Sequence, residues 1–212
     1  MPHRPEADRP KHPAKHTAKH TATQAAAGAP HEVRIIGGQW RRTKLAVVDR
    51  PGLRPTPDRV RETLFNWLGQ DLSGWHCVDL FAGSGALGLE AASRGALQVQ
   101  LFEFDAAAVR SLLSVCQRLQ ATQVQVTRGD ALALAHALPA VSIDLAFIDP
   151  PYASDLFEPA LRAVRAALKP QGRVFLEAPQ AWTDAALAPL GYQLLRHLKA
   201  GAVHAHLLMP TA

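Results

Sequence analysis

From residue 75 onward, short apolar and β-branched runs alternate with segments of helical periodicity. Five of these runs have the composition of strands: HCVDLF, QVQLFEF, VQVTRG, IDLAFID and GRVFLEA. The helical segments lie between them, at about residues 86–94, 106–119, 131–137 and 155–168. Strands that alternate with helices pair in parallel through right-handed crossovers. The alternation therefore predicts an α/β sandwich.

The C-terminal segment breaks this alternation. YQLLRHLKAGAVHAHLLMP consists of two strand-like runs about a glycine-containing turn, which is typical of an antiparallel hairpin. We therefore predict a Rossmann-like fold with a mostly parallel, seven-stranded sheet that ends in an antiparallel hairpin.

Three regions differ in composition. Residues 1–30 are rich in Pro, Ala, Thr, Lys and His and poor in large apolar side chains, so we predict a disordered basic tail. Residues 31–72 are predicted to form a small hairpin around Gly37 and Gly38, followed by a helix. That helix has Thr56 as its expected N-cap and Pro57 at its first position. Residues 73–212 form the predicted main domain.

The positive charge of the chain is concentrated in the second region. The whole chain has a net charge of +5 and a pI of about 9.6. Residues 31–72 contain eight basic side chains against five acidic ones: Arg34, Arg41, Arg42, Lys44, Arg50, Arg54, Arg59 and Arg61. This distribution favours a polyanionic partner.

Several classes of protein are disfavoured by what the sequence lacks. No apolar run approaches the roughly 20 residues of a membrane span, and the N-terminal segment has no secretory signal. Cys77 and Cys116 match no zinc-binding spacing and are expected to be buried, reduced thiols. We predict a cytoplasmic protein without a metal or a membrane partner, and nothing demands more than a monomer.

The segment VDLFAGSGALGLEAA contains the first chemical signal. Its spacing Gly83-x-Gly85-x-x-Gly88 matches the dinucleotide fingerprint, a weak signal that a tight strand-to-helix turn would also produce. Asp79 lies four residues before the first glycine. A carboxylate there suits a cationic or amine group better than a pyrophosphate, and the methionyl end of S-adenosylmethionine carries both an ammonium and a sulfonium.

Two further acidic residues follow the next strands. Glu103 ends its strand about 20 residues past the glycines, where a carboxylate can accept both ribose hydroxyls of an adenosine. Asp130 follows the third strand, and it can contact an adenine amino group, cap the next helix, or do both. Both NAD and S-adenosylmethionine contain adenosine, so neither residue separates these cofactors.

The string Asp149-Pro150-Pro151-Tyr152 directly follows a buried strand. The prolines end that strand abruptly and hold the chain stiff and extended. Asp149 and the Pro150 carbonyl can then accept the two hydrogens of an exocyclic amine, while Tyr152 stacks on the base. A plain strand exit would explain one proline, but it explains the whole string poorly.

Taken together, these segments resemble S-adenosylmethionine-dependent amino-methyltransferases with the motif [DNS]-P-P-[YFW]. The chain is most similar to one family, the RsmD-type guanine-N2 methyltransferases of small-subunit (16S) ribosomal RNA. RIIGGQW, GLRPTPDRVRETLFNWL, DLFAGSGALGLEAASRGA and FIDPPY resemble that family's blocks in order, and the resemblance covers about residues 33–209.

The resemblance implies a class I methyltransferase fold, S-adenosyl-L-methionine as cofactor, and an RNA or assembling 30S particle as partner. It implies a cofactor site formed by Asp79, Phe81, Ala82, Gly83, Ser84, Gly85, Glu103, Asp130 and Ala131. The implied catalytic residues are Asp149, Pro150, Pro151 and Tyr152. The implied RNA contacts are Arg34, Gly37, Gly38, Arg41, Arg42, Arg54, Thr56, Arg59 and Arg61.

The sequence departs from the family pattern after GGQW. It has RRTKL where Arg-Gly-Arg-Lys-Leu is expected, so Arg42 occupies the glycine position and Thr43 replaces the next arginine. The positive charge is kept one position away, so the departure concerns the geometry of the hairpin and not its charge.

Four alternatives use some of the same residues. A DNA adenine or cytosine methyltransferase usually needs a separate target-recognition region, for which 212 residues leave little room. A glutamine methyltransferase of a release factor usually has Asn in place of Asp149. An NAD-dependent oxidoreductase has no use for the Asp-Pro-Pro-Tyr string. A non-catalytic RNA-binding assembly factor would not need intact Asp79 and Asp149.

Overall fold

The computed structural model describes Met1, residues 32–47 and residues 56–211. Residues 2–30 of the predicted tail and Arg54 lie outside the described residues. The strands are β1 (Glu32–Arg34), β2 (Lys44–Ala46), β3 (His76–Asp79), β4 (Gln98–Glu103), β5 (Val124–Arg128), β6 (Ile143–Ile148), β7 (Leu168–Ala178), β8 (Tyr192–Ala200) and β9 (Val203–Pro210). The α-helices are α1 (Asp58–Leu68), α2 (Gly88–Ser93), α3 (Ala106–Leu119), α4 (Ala131–His136), α5 (Phe157–Val164) and α6 (Asp184–Leu187).

The main sheet has seven strands in the order β5-β4-β3-β6-β7-β9-β8. β3 to β7 pair in parallel, whereas β9 runs antiparallel to both β7 and β8. The predicted Rossmann-like fold with its antiparallel C-terminal hairpin is confirmed. β3 lies between β4 and β6, so the connections diverge at its carboxyl end.

Helices cover both faces of this sheet. One core cluster joins α1, α2 and α3 to one face, and the other joins α4, α5 and α6 to the opposite face. On the first face, Phe147 of β6 lies between Phe65 of α1 and Phe175 of β7, with ring centroids 6.4 Å from each. Helix α1 is therefore part of the main hydrophobic core.

Some predicted boundaries were wrong. Pro57 occupies the N-cap position of α1, and no side chain caps this helix, so Thr56 is not its cap. Helix α5 ends at Val164, and β7 begins at Leu168 with a register shift against β6. Proline in LKPQG does not prevent pairing there because the irregularity absorbs it. No helix among the described residues is long and apolar enough to cross a membrane.

The N-terminal hairpin, formed by β1 and β2, packs on the end of α2. A Cβ added to Gly38, whose φ is +71°, would lie 1.9 Å from the carbonyl oxygen of Ser93, so close packing explains the glycine. Arg42 also has a φ of 71°, in the left-handed region that favours glycine. The departure from the family pattern thus places a side chain at a strained position without abolishing the antiparallel pairing of the hairpin.

Candidate active site

One cleft opens at the carboxyl ends of β3, β4 and β6. It consists of a larger cavity of about 400 Å³ and a smaller one of about 90 Å³. Phe81, Gly83, Asp149 and Pro151 line both cavities, so the two are continuous. Ligands of open α/β sheets bind where the strand connections diverge, and this cleft lies there.

The larger cavity adjoins the ends of β4 and β5. It brings together Phe81, Gly83, Glu103, Asp130 and Ala131 from the predicted cofactor set. Its apolar walls come from residues that sequence reasoning missed: Phe102, Phe104, Leu132 and Leu156. A slot with apolar walls and acidic groups at its end suits a nucleoside.

Glu103 ties the glycine loop to the end of β4. Its Oε2 accepts the N–H of Gly83 at 2.9 Å, and its Oε1 accepts the N–H of Asp105 at 2.8 Å. A carboxylate has about four lone-pair positions, so both oxygens can still accept hydroxyls. Asp130 caps α4 by accepting the N–H of Ala133 at 2.9 Å, and this confirms the plain interpretation of that residue.

The smaller cavity adjoins the ends of β3 and β6. It brings the four predicted catalytic residues Asp149, Pro150, Pro151 and Tyr152 against the glycine loop. It also includes Asp79, Ala82 and Ser84 from the predicted cofactor set, and Thr56. The two halves of the prediction, far apart in the sequence, thus share one cavity.

Asp79 carries an unsatisfied buried oxygen. Its Oδ2 accepts the N–H of Gly88 at 3.1 Å, whereas its Oδ1 has no hydrogen-bond partner. Burial raises the pKa of Asp79 to about 7, against the lowering effect of the Gly88 and Phe81 N–H groups. A buried acceptor without a partner is costly, and the cationic methionyl end of S-adenosylmethionine would satisfy it. The residues therefore fit this cofactor.

Among the described residues, the groups that interact with the Asp149 carboxylate are a hydroxyl and two other acidic side chains. Its Oδ2 accepts the hydroxyl of Thr56 at 3.3 Å. Burial, followed by the negative charges of Glu177 and Asp79, raises the pKa of Asp149 well above its usual range. Thr56 and Glu177 are site residues that the sequence does not assign here. The sequence predicts Thr56 as a helix cap and an RNA contact, and Glu177 belongs to a strand with no motif around it.

The three glycines of the fingerprint do different work. Gly83 has a φ of +52° and open space around its missing Cβ, so it faces the cleft. A Cβ on Gly85 would lie 2.7 Å from the Leu112 side chain, and one on Gly88 would lie 2.2 Å from Leu101. Gly85 therefore serves the packing of the core and lines neither cavity, and its contact with the cofactor stays a prediction.

The predicted RNA-contacting residues divide by exposure. Arg34, Arg41, Arg42 and Arg59 are exposed. Arg61, by contrast, is fully buried, so the prediction that it contacts RNA is wrong. Thr56 is also buried, 4% exposed, and its hydroxyl faces Asp149. Gly37 and Gly38 pack against Arg94 and Ser93, and contact with RNA stays a prediction for them.

Arg61 and Glu90 form a buried network between α1, the N-terminal hairpin and α2. Arg61 donates to the carbonyl of Arg34 at 2.9 Å and lies 3.6 Å from Glu90 Oε2. Glu90 accepts the N–H groups of Ile36 and Gly37 at 2.6 and 2.7 Å and the Arg94 side chain at 2.8 Å. The network anchors the N-terminal hairpin to the helix that begins at the glycine loop.

A cluster of three histidines lies on the C-terminal hairpin and lines neither cavity of the cleft. Potential ligand atoms of His197, His204 and His206 lie within 4.8 Å of one another. The rings stack nearly parallel, and both nitrogens of His206 already have partners, Leu176 O and Trp182 N–H. Burial lowers the pKa of His206 to about 4. The stacked, hydrogen-bonded geometry of the cluster does not favour a metal ion.

Comparisons with known proteins agree on one family. The model of the family described as Conserved hypothetical protein 95 matches residues 33–209. The curated Ribosomal RNA small subunit methyltransferase D of Escherichia coli K12 is 48% identical over 127 residues, which span 60% of this chain and 64% of that protein. Its namesake in Haemophilus influenzae Rd is 38% identical over 180 residues, 82% of this chain and 92% of that protein.

Solved structures agree with the sequence relatives. A structure described as an Escherichia coli methyltransferase has a TM-score of 0.74 and 38% identity, and the match covers 86% of this chain and 99% of that one. A structure described as a Haemophilus influenzae methylase has a TM-score of 0.71 and 33% identity, with 86% of this chain and 100% of that one covered.

Proposed function

The chain belongs to the family described as Conserved hypothetical protein 95, the RsmD-type methyltransferases that its motifs resemble, and from that premise we propose that it transfers a methyl group from S-adenosylmethionine to the N2 amine of a guanine in small-subunit ribosomal RNA. Two relatives are named for action on the small ribosomal subunit. The substrate is RNA or an assembling particle, and we place the reaction in the cytoplasm.

The observation that carries this proposal is the position of Asp149. It is the polar side chain common to both cavities, so it stands between the nucleoside slot and the space in front of Tyr152. When bound, S-adenosylmethionine supplies a methyl group on a positively charged sulfur. Asp149 is placed to accept a hydrogen of an incoming amine beside that group.

The chain's own residues account for the remaining requirements of the reaction. The amine of guanine is a poor nucleophile, because its lone pair is delocalised into the ring. Accepting its hydrogens at Asp149 and at the Pro150 carbonyl orients the lone pair. Tyr152, 37% exposed at the mouth of the smaller cavity, offers its ring to a base that has left its stack.

The alternatives fit this site less well. Hydride transfer by a dehydrogenase would give the Asp149–Tyr152 segment no role in the reaction. A non-catalytic assembly factor would leave Asp79 Oδ1 buried and unsatisfied without a ligand to compensate.

To separate these functions, tritium transfer from labelled S-adenosylmethionine to RNA, DNA and protein would be followed by nucleoside analysis. N2-methylguanosine in small-subunit RNA supports the proposal, and label in any other product contradicts it.

Removal of the Glu103 carboxylate should weaken cofactor binding. Hydrogen bonds to a charged group contribute about 1.5–3 kcal/mol, so Glu103→Ala should lower the affinity for S-adenosylhomocysteine about 10- to 150-fold. Glu103→Gln keeps one carbonyl acceptor and should lose less. Calorimetric titration measures both, with Glu158→Gln, an exposed glutamate on α5, as control. Unchanged affinity in Glu103→Ala would exclude the ribose contact.

Neutralising exposed arginines of the N-terminal region should reduce the salt dependence of RNA binding. Each lost phosphate contact lowers the slope of log affinity against log salt by up to about 0.9 for a duplex and somewhat less for a single strand. The test compares two triple variants. One combines Arg34→Gln, Arg41→Gln and Arg59→Gln, and the control combines the same change at the exposed Arg110, Arg162 and Arg196. Equal slopes for the two triple variants would rule out a specific role of this surface.

A further inference from the structure

Glu177 lies opposite Asp149 at the end of the neighbouring strand. β6 and β7 pair in parallel with Phe147 opposite Phe175 and Ile148 opposite Leu176. The next pair in that register is Asp149 and Glu177. Because side chains alternate along a strand, both carboxylates point to the same face as the two phenylalanines.

The Glu177 side chain is almost wholly enclosed. It is 1% exposed, its Oε1 accepts the hydroxyl of Tyr152 at 2.9 Å, and its Oε2 has no hydrogen-bond partner among the described residues. Burial raises the pKa of Glu177, and hydrogen bonds from the Thr56 and Tyr152 hydroxyls oppose that rise. The same Thr56 hydroxyl donates to Asp149. Glu177 thus holds the hydroxyl of Tyr152 directly and is linked to Asp149 through the Thr56 hydroxyl.

The charges around this pair have one sign. Asp79 of β3 faces Asp149, and Glu103 of β4 faces Asp79 in turn. Within residues 32–47 and 56–211, no Lys, Arg or His forms an ion pair with Asp79, Asp149 or Glu177. A glutamine would satisfy Tyr152 at less cost to the fold, so a buried charge here calls for a function.

We propose that Glu177 is a positioning residue of the methyl-transfer site, which holds the Tyr152 ring at the mouth of the cleft and sets the electrostatic field in which Asp149 works. This rests on the proposed function. The extra negative charge favours the positive charge that develops on an attacking amine. It also makes Asp149 harder to ionise, since burial and the Glu177 charge both raise the pKa of Asp149.

The test is Glu177→Gln, which keeps the shape and an oxygen that can accept the Tyr152 hydroxyl. Methyl transfer needs the Asp149 carboxylate, so the rate rises with pH as Asp149 ionises. Without the Glu177 charge the pKa of Asp149 falls, because a like charge no longer disfavours its ionised form. The rise in the pH–rate profile should therefore move to lower pH. A merely structural glutamate would not move it.

Two further variants separate charge from position. Tyr152→Phe keeps the ring and the Glu177 charge but loses the hydroxyl, so it should lower kcat without moving the rise to lower pH. Glu158→Gln, on the exposed face of α5, should leave the profile as in wild type. An unmoved profile in Glu177→Gln would overturn the proposal.

A titration independent of activity distinguishes the failure of this proposal from the failure of the proposed function. Carboxyl-carbon NMR follows Asp149 directly, with its signal assigned by its loss in Asp149→Asn. A lower pKa of Asp149 in Glu177→Gln than in wild type is expected even if the true substrate is not guanine. Equal pKa values would refute the electrostatic role whatever the substrate.

Discussion

Asp149→Asn is expected to lower the single-turnover rate of methyl transfer about 10²-fold or more, the loss typical of one preorganised electrostatic contact. The amine gains positive charge as it attacks, and the carboxylate stabilises that charge in the transition state more than in the ground state. The amide keeps the shape of the side chain and one acceptor oxygen, so the loss need not be total. The charge, however, is gone.

Other measurements separate this role from a general defect. Cofactor affinity should change little in Asp149→Asn, because the proposed contacts of the cofactor's ribose and adenine are with Glu103 and Asp130 in the larger cavity. The control is Asp155→Asn, the same change of charge at an exposed site three residues beyond Tyr152. Asparagine also resembles the protonated carboxyl, so the wild-type rate at low pH should approach that of the variant. Near-wild-type turnover in Asp149→Asn would return the motif to a plain strand exit.

Arg61→Ala is expected to lower the free energy of unfolding by about 3–5 kcal/mol, the usual cost of removing one partner from a buried ion pair. Arg61 is fully buried. Its removal deprives the carbonyl of Arg34 of a donor and weakens the neutralisation of Glu90, which then depends on Arg94. The β1–β2 hairpin should loosen first, because Glu90 also holds its backbone at Ile36 and Gly37.

Arg59 supplies a matched control two residues away. It is exposed in the same turn of α1, and Arg59→Ala should change stability by no more than about 0.5 kcal/mol. Chemical denaturation followed by tryptophan fluorescence measures both variants. RNA binding provides a second comparison of the two residues. Arg59 is expected to contribute to RNA binding directly, whereas Arg61 is expected to affect it only through folding. Equal losses of unfolding free energy in Arg59→Ala and Arg61→Ala would show that the buried network does not stabilise the fold more than an exposed arginine does.

Much of the fold could be predicted because its signals are local. The sequence predicts the alternation of strands and helices that the structure shows. It also predicts the Asp130 cap of α4 and the bounds of α3 at Ala106–Leu119. The chemistry of the cleft was local as well. Asp79, Glu103 and Asp149 each end a parallel strand or follow it directly, and parallel strands bring their carboxyl ends to one edge of the sheet.

The differences from the sequence prediction concern residues whose contacts are with segments distant in the chain. Thr56 precedes a helix and resembles a cap, yet its hydroxyl faces Asp149. Gly85 belongs to a ligand-binding fingerprint, but Leu112 of α3 lies over it. Glu177 belongs to no motif at all, and only the pairing of β7 with β6 brings it to the site.

The sequence by itself determined the order of elements, the turns and the strand-end acids, because periodicity and turn chemistry depend on neighbours along the chain. Only the tertiary structure decided which charges are buried. Arg59 and Arg61 are the same residue type, two positions apart on one helix. Charged residues are mostly exposed in folded proteins, so the sequence alone predicts exposure for both. Packing of α1 against α2 exposes the first and encloses the second beside Glu90. The burial of Arg61 depends on the contact between α1 and α2, and the glycine loop lies between these helices in the chain. The spacing of residues along the chain does not predict such a contact.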